Sequence, residues 1–328
     1  MATFDLLSLQ PHKVSRDLTG YITYIYGEPK TGKTTLATQA GNALLFAFER
    51  GYNALPGVFP VDVTSWGDTR ALVRELKKKE VKEKFQTVIF DTVDIAGTLC
   101  EKYVCAQNNV DRIGEIPYGQ GWTIMKKEFE EVLRTITQLG YALFLISHEK
   151  DKVFKRKDGT EFNQIVPSCP TTFNEIAKNL ADIYGFAEKY GDDQGLSKVR
   201  LVLRSADNSV DCGCRFKFID PIVDMSYSAL VEAINKAIDK EAELTDGKYV
   251  TNDRNFTEVA PALDYDTLIY EFNTLAQDLM NKDPEFFGPK ITFIVDKYLG
   301  RGKKVSDSSP AQVELLDQIV AEIKETLA

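Results

Sequence analysis

The sequence predicts an α/β fold on a mostly parallel central sheet, followed by a small helical region. Three observations lead there. Short apolar runs of strand length (Tyr21–Tyr26, Ala43–Phe48, Thr87–Asp91 and Tyr141–Ile146) alternate with stretches of helical periodicity, as in sheets whose strands are buried on both faces. Several of these runs end at a polar residue or a glycine turn, where open α/β sheets hold their ligands. The first run feeds Gly27-Glu28-Pro29-Lys30-Thr31-Gly32-Lys33-Thr34, which fits G-x-x-x-x-G-K-[ST] at every fixed position.

The 328 residues, 43% of them hydrophobic, suffice for one large α/β domain with an appendage. A lead-in is expected over residues 1–20, the core over 21–243, a linker over 244–262 and a helical region over 263–328. A net charge of −9 and a pI near 5.0 exclude a protein coated in positive charge. Any nucleic-acid contact must come from local basic segments. The five cysteines are odd in number, Cys212-Gly213-Cys214 is too tight for a zinc knuckle, and there are only two histidines. Free thiols in a reducing compartment are expected. The N-terminus lacks the regions of a signal peptide and no apolar run reaches membrane-spanning length, so a cytoplasmic protein with no membrane contact is expected.

Taken in order, Tyr21–Tyr26 is β-branched and aromatic, and Thr35–Ala40 reads as the start of a helix. A strand, a glycine-rich turn and a helix N-terminus aim several backbone N–H groups at one point. Gly27 and Gly32 let the backbone wrap phosphates, with Pro29, Lys30, Thr31 and Thr35 completing the contact. Lys33 is expected to reach the β- and γ-phosphates, and the Thr34 hydroxyl to ligate Mg²⁺. The second run ends at Glu49, placed to orient and deprotonate a water attacking the γ-phosphate; the competing reading is a solvated Glu paired with Arg50.

Phe59–Val63 suggests a short strand, Asp68–Lys79 an amphipathic helix, and Lys77–Lys84 a solvated face of mixed charge. Thr87–Asp91 puts the Asp91 carboxylate at a strand tip facing the magnesium, with Thr92 and Asp94 on the rim. After a helix over Ile95–Gln107, the segment Asn108–Gly121 reads as a glycine-rich loop. It brings Arg112, Tyr118 and Trp122 together, the mixture that stacks bases of a single strand; the favoured reading of Trp122 is packing of the next helix onto the core.

A helix over Trp122–Leu139 leads to the run ending Ser147-His148, where His148 would sense the γ-phosphate or would simply be solvated. Glu149–Val166 reads as a basic hairpin carrying Lys150, Lys152, Lys155, Arg156 and Lys157 and turning at Asp158-Gly159. It would bind DNA or a neighbouring subunit's nucleotide, or stay solvated. Leu180–Ala187 and Val199–Arg204 read as strands. Lys198, Arg200 and Arg204 project to one side, as trans-acting cations for the transferred phosphate or as a polar sheet face. Helices are expected over Ser226–Glu243, Tyr265–Met280, Pro289–Leu299 and Pro310–Leu327. The turn Gly300-Arg301-Gly302-Lys303-Lys304 is a candidate phosphate-backbone contact or a polar turn.

This order of parts resembles the RecA-like core ATPases, and among them the phage-encoded P-loop proteins of the single-strand annealing (fourth Sak) type. The resemblance rests on Gly27–Thr35, Phe48-Glu49-Arg50-Gly51, Thr87–Thr92, Tyr118–Trp122 and Ser147-His148-Glu149. It implies ATP-dependent handling of single-stranded DNA in recombination, annealing or replication, by a homo-oligomeric ring or filament with ATP between subunits. Glu49 would be the activating carboxylate, Asp91 the Mg²⁺-associated one, and Lys33 and Thr34 nucleotide ligands. Tyr118–Trp122 and Lys150–Lys157 would be the DNA-facing loops, and the C-terminal helices would bind DNA or a single-strand binding protein. Two other readings stand beside it. One is a small-molecule kinase, disfavoured because a Lys-rich hairpin replaces an Arg-rich lid; the other is a nucleotide-dependent assembly factor without DNA binding.

Overall fold

The computed structural model describes residues 7, 9–191, 194–254 and 263–327. The chain divides into two compact units, Pro11–Val259 and Met1–Gln10 with Ala260–Ala328. The larger opens with β1 (Val14–Ser15), β2 (Ile22–Gly27) and α1 (Lys33–Thr38). Then come β3 (Ala43–Ala47), β4 (Phe59–Asp62), α2 (Trp66–Glu75), α3 (Lys79–Lys84), β5 (Thr87–Asp91) and α4 (Val93–Gln107). They are followed by α5 (Gln120–Gln138), β6 (Ala142–Ser147), β7 (Glu149–Lys155), β8 (Glu161–Pro167) and α6 (Thr171–Leu180). β9 (Ile183–Gly191), β10 (Ser197–Val202), β11 (Gly213–Cys214), β12 (Ile222–Asp224), α7 (Tyr227–Glu243) and β13 (Val250–Thr251) complete it.

The main sheet has the order β12-β10-β9-β2-β6-β5-β3-β4, with β11 pairing β9. β4, β3, β5, β6, β2 and β9 run parallel, and β10, β11 and β12 join antiparallel. Every residue of β3, β5 and β6 is buried, which explains why these strands read as continuous apolar runs. Side chains alternate between two cores. Tyr24, Tyr26, Phe46, Phe90 and Leu145 face α2, α4, α5 and α6 through Val73, Ala96, Phe129 and Phe173. Ile25, Leu45, Ile89, Phe144 and Ile146 face α1 and α7 through Leu36, Leu230 and Ile234. The α4–α6 approach is close: a Cβ on Gly97 would fall 2.4 Å from Phe173 Cδ2.

Chain order reverses beside β2: the segment after β2 crosses to β3, leaving β6 and β5 in between. A crevice forms at such a switch point, at the C-terminal ends of the strands. Pairing puts Tyr26 level with Ser147, Ile146 with Asp91, and Asp91 with Ala47. The tips of four strands, β2, β6, β5 and β3, thus open into one place.

Several expectations need correction. Residues at both edges of the core are more firmly built in than a lead-in and linker would be. β1 pairs in parallel with β13, Val14 opposite Val250. The Arg254 guanidinium donates to the carbonyls of Thr19, Gln86 and Gly140 at 2.8–3.0 Å. Two-residue strands carry no periodic signal, and three converging carbonyls are invisible in sequence. The remaining expected linker, residues 255–262, and residues 1–6 and 8 of the lead-in lie outside the described residues. Trp122 is not a packing residue: it is 50% exposed, whereas Trp66 is buried, stacks on Phe129 and donates its indole N–H to Glu128 at 2.7 Å. The helix α6 occupies a stretch for which no element was expected, and β9 starts later than Leu180.

The smaller unit contains α8 (Tyr265–Lys282), α9 (Pro284–Leu299) and α10 (Val313–Thr326). They close on Leu268, Leu279, Ile291, Ile294, Leu316, Ile319 and Ile323. α9 begins five residues before the expected Pro289, because Asp283 caps it through the Phe286 N–H and Pro284 fits the first turn. None of the described helices is long and apolar enough to cross a membrane.

Candidate nucleotide site

The loop between β2 and α1 is shaped by two glycines with different duties. Gly27 (φ +155°) is packed so closely on β9 that a Cβ would lie 2.6 Å from the Ala187 carbonyl oxygen. Gly32 has nothing near its missing Cβ; its left-handed backbone (φ +86°) is what turns the chain into α1. The first turn of a helix leaves N–H groups without intrahelical partners, here facing the crevice.

Lys33 lies inside the loop, 5% exposed, its ammonium donating to the carbonyls of Gly27 at 2.8 Å and Glu28 at 2.7 Å. Burial pushes its pKa down to about 8, against the opposing pull of Asp91, Glu149, Asp94 and Glu49. The Thr34 hydroxyl donates to Asp91 Oδ2 at 2.6 Å. Burial holds Asp91 above its ordinary value, partly offset by that hydrogen bond. A hydroxyl and a carboxylate side by side are hard oxygen donors of the kind Mg²⁺ takes, since it uses one or two protein oxygens and fills its shell with water and phosphate. Thr34 and Asp91 therefore fit the ion they were expected to hold.

Glu49 lies two residues past β3 and is fixed from two sides. Thr92 Oγ1 donates to its Oε1 at 2.8 Å, and His148 Nε2 lies 3.4 Å from both carboxylate oxygens. The His148 contact holds Glu49 below the usual carboxylate range, and the same contact raises His148. Arg50, the alternative partner, instead faces Asp62 at 3.4 Å. An ionised carboxylate oriented by a hydroxyl and an imidazole is suited to accept a proton.

The fold thus gathers Lys33, Thr34, Glu49, Asp91 and His148 from the expected residues. It also brings in Thr92 and Asp94, which were expected on the rim without a role, and Glu149 and Lys189, which were not assigned to the site. Thr92 binds Glu49; Asp94 and Glu149 share the field of Lys33; Lys189 on β9 donates to Glu28 Oε2 at 2.5 Å. Of these, Asp94 and Glu149 had a detectable signal, a carboxylate within three residues of a strand tip; Lys189 had none, because its place depends on β9 lying beside β2.

The other expected residues stand apart from this cluster. Tyr118 is 97% exposed, in a left-handed turn with φ +59°. In the β7–β8 hairpin the Phe154 and Phe162 rings stack at 5.7 Å, with Lys152 over Phe154 at 4.9 Å and Arg156 over Phe162 at 4.5 Å. Lys155 and Lys157 are exposed, while Lys150 is tied at the hairpin base to the Ser168 carbonyl at 3.0 Å. Lys198 is exposed on β10 and Arg200 pairs with Glu188 at 2.5 Å. The Arg204 guanidinium is spent on its own chain, reaching the carbonyls of Phe216 and Lys217 at 2.9 and 3.2 Å.

Comparison with known proteins bears on the same region. Residues 19–210 match a protein-family model described as an AAA domain. Over 334 residues, 99% of each chain, the sequence is 26% identical to the SPbeta prophage-derived uncharacterized protein YorG of Bacillus subtilis (strain 168).

Proposed function

The chain belongs to the AAA-domain family of P-loop ATPases, and from that premise we propose that it is a Mg²⁺-dependent, RecA-like ATPase acting on single-stranded DNA as a homo-oligomer. The observation that carries the reading is the convergence of Lys33, the Thr34–Asp91 pair and Glu49 at the C-terminal ends of parallel strands of one sheet. Lys33 neutralises phosphate charge and Glu49 takes the proton of the attacking water. His148 and Thr92 keep that carboxylate ionised and aimed. When bound at Thr34 and Asp91, Mg²⁺ supplies charge neutralisation on the phosphates. The need for it is electrostatic: Asp91, Glu149, Asp94 and Glu49 all act on the charge of Lys33, and a divalent cation would offset the repulsion that these carboxylates exert on a polyanion.

Support for DNA as partner is the hairpin, whose cations lie over its aromatic rings, and the exposed Tyr118 and Trp122. Cationic surface interleaved with aromatic faces suits a sequence-tolerant single-strand contact. The β2-centred strand order supports the RecA-like assignment, and the similarity to a prophage-derived protein supports a phage setting of the single-strand annealing type. In that setting Lys198 and Arg200 are the candidate cations to act across a subunit interface, and the C-terminal helices are the candidate contact for a single-strand binding protein.

The deciding experiment is ATP hydrolysis with and without single-stranded DNA, at low and moderate salt. Stimulation by DNA that weakens with salt is expected. Hydrolysis indifferent to DNA would remove the DNA assignment and leave a kinase or an assembly factor. No hydrolysis, with nucleotide still bound, would leave the assembly factor alone.

A further inference from the structure

Charge is sorted within the smaller unit. Residues 263–328 hold seven Lys and Arg against twelve Asp and Glu, yet residues 286–304 hold five of those cations and one of those acids. That stretch is most of α9 and the turn after it. On α9, Phe286, Lys290, Phe293 and Lys297 recur at i, i+4, i+7 and i+11, so they stand on one face of the helix. Its other side carries Ile291, Ile294 and Val295 into the core of the unit.

The outer face alternates rings with ammonium groups. Phe286 is 52% and Phe293 70% exposed, and the Lys290 ammonium lies 3.5 Å from the Phe286 ring centre. Lys297 is exposed as well, though paired with Glu322 at 2.7 Å. Gly300 and Gly302 then take positive φ (+99° and +77°) and turn the chain. The turn presents Arg301, Lys303 and Lys304, all exposed and without an ion pair among the described residues. The nearest acids point into the backbone instead. Asp296 accepts from the Gly302 N–H and Asp307 from the Lys304 N–H, both at 2.8 Å, and Asp283 accepts from the Phe286 N–H at 3.0 Å. Beside the stripe, Pro289, Lys290, Phe293, Ile294 and Leu327 line an open groove of about 420 Å³.

Rings and cations in one line suit a partner that carries a flat face for every negative charge, as a single nucleic-acid strand does. A membrane surface asks for apolar and charged residues on separate faces of a helix, and the apolar face of α9 is already buried. An acidic peptide brings the charge without the flat faces.

We propose that the Phe286–Lys297 face of α9 and the Arg301–Lys304 turn form a second surface for single-stranded DNA. Bases stack on Phe286 and Phe293, and phosphates meet Lys290, Arg301, Lys303 and Lys304. The proposal rests on single-stranded DNA being the partner and not on the nucleotide site: this surface holds the strand with no nucleotide bound. It leaves the other faces of the unit to a protein partner.

The test is fluorescence anisotropy of labelled oligo(dT) with the full chain, without nucleotide, at low and moderate salt. Wild type is compared with a ring variant (Phe286→Ala, Phe293→Ala), a charge variant (Lys290→Glu, Arg301→Glu, Lys303→Glu) and the hairpin pair Lys152→Glu, Arg156→Glu. The ring variant is expected to bind at least about fivefold more weakly for each ring lost. The charge variant is expected to bind more weakly, with a salt slope shallower by about one for each phosphate no longer neutralised. Its changes are all on the surface, so it keeps the test open should the ring variant fold poorly. Ring and charge variants that bind like wild type would overturn the proposal, and loss confined to the hairpin pair would leave the DNA reading standing on the hairpin alone. Wild type that binds no oligonucleotide would bring down the partner reading and this proposal with it. Phosphatidylserine vesicles are the second probe: their capture by wild type but not by the charge variant, with no oligonucleotide bound, would reassign the face to a lipid surface.

Discussion

Replacing Glu49 by Gln removes one charge and almost no volume. The amide oxygen can still accept from Thr92 Oγ1, now 2.8 Å away, so the side chain keeps its place. The carboxylate facing His148 at 3.4 Å is removed, but both side chains are about one-third exposed (33% and 34%). A pair so screened contributes only about 0–1 kcal/mol to stability, and the variant is expected to fold. Nucleotide binding is expected to hold or tighten, because one of the four carboxylates around Lys33 becomes neutral. Turnover is a different matter. Loss of a general base slows a reaction by about 10²–10⁴-fold, roughly 3–5 kcal/mol on the barrier. Single-turnover hydrolysis at saturating ATP, beside an equilibrium binding titration, separates the two effects. Turnover of the variant within threefold of wild type would refute the assignment and move the base to Asp94 or Glu149, the carboxylates acting on Lys33 that are not assigned to the ion.

Other consequences can be checked alongside. Lys33→Ala removes the buried ammonium that fills the loop and is expected to abolish nucleotide binding, read by titration with a fluorescent analogue. Because burial sets the Lys33 pKa at about 8, its charge is lost as pH rises through that value. ATP affinity is therefore expected to fall about tenfold between pH 7 and pH 9, and pH-independent affinity would contradict a role for the charge. Gly27→Ala forces a Cβ to 2.6 Å from the Ala187 carbonyl oxygen; overpacking of about 1–3 kcal/mol is expected, seen as a lower Tm together with weaker nucleotide binding. Substituting Lys152→Glu and Arg156→Glu is expected to weaken stimulation by single-stranded DNA and flatten its salt dependence, by about one in slope for each phosphate no longer neutralised, while DNA-free hydrolysis is unchanged.

Much of the nucleotide site was legible because it lies at strand tips. Lys33, Glu49, Asp91 and His148 each follow an apolar run closely in sequence, and a parallel sheet brings such ends to one edge. What was illegible depends on which strands become neighbours. Thr92 meets Glu49 because β5 lies beside β3, and Lys189 meets Glu28 because β9 lies beside β2. Arg204 looked like a surface cation in an alternating strand, yet it serves the carbonyls of a turn that carries no sequence pattern. Trp122 misled for a general reason. A tryptophan opening an amphipathic helix suggests core, but the helix meets the core through Met125, Phe129 and Leu133 and turns Trp122 outward.

The contrast between the chain's two tryptophans gives the protein a ready optical reporter. Trp66 is 1% exposed and stacked on Phe129, shielded from a dissolved quencher; Trp122 is 50% exposed beside Tyr118. Acrylamide or iodide will divide the intrinsic fluorescence into a protected and an accessible half without any label. An oligonucleotide seated on the Tyr118–Trp122 surface will shield the accessible half alone, and emission from Trp66 will serve as the internal standard in the same cuvette.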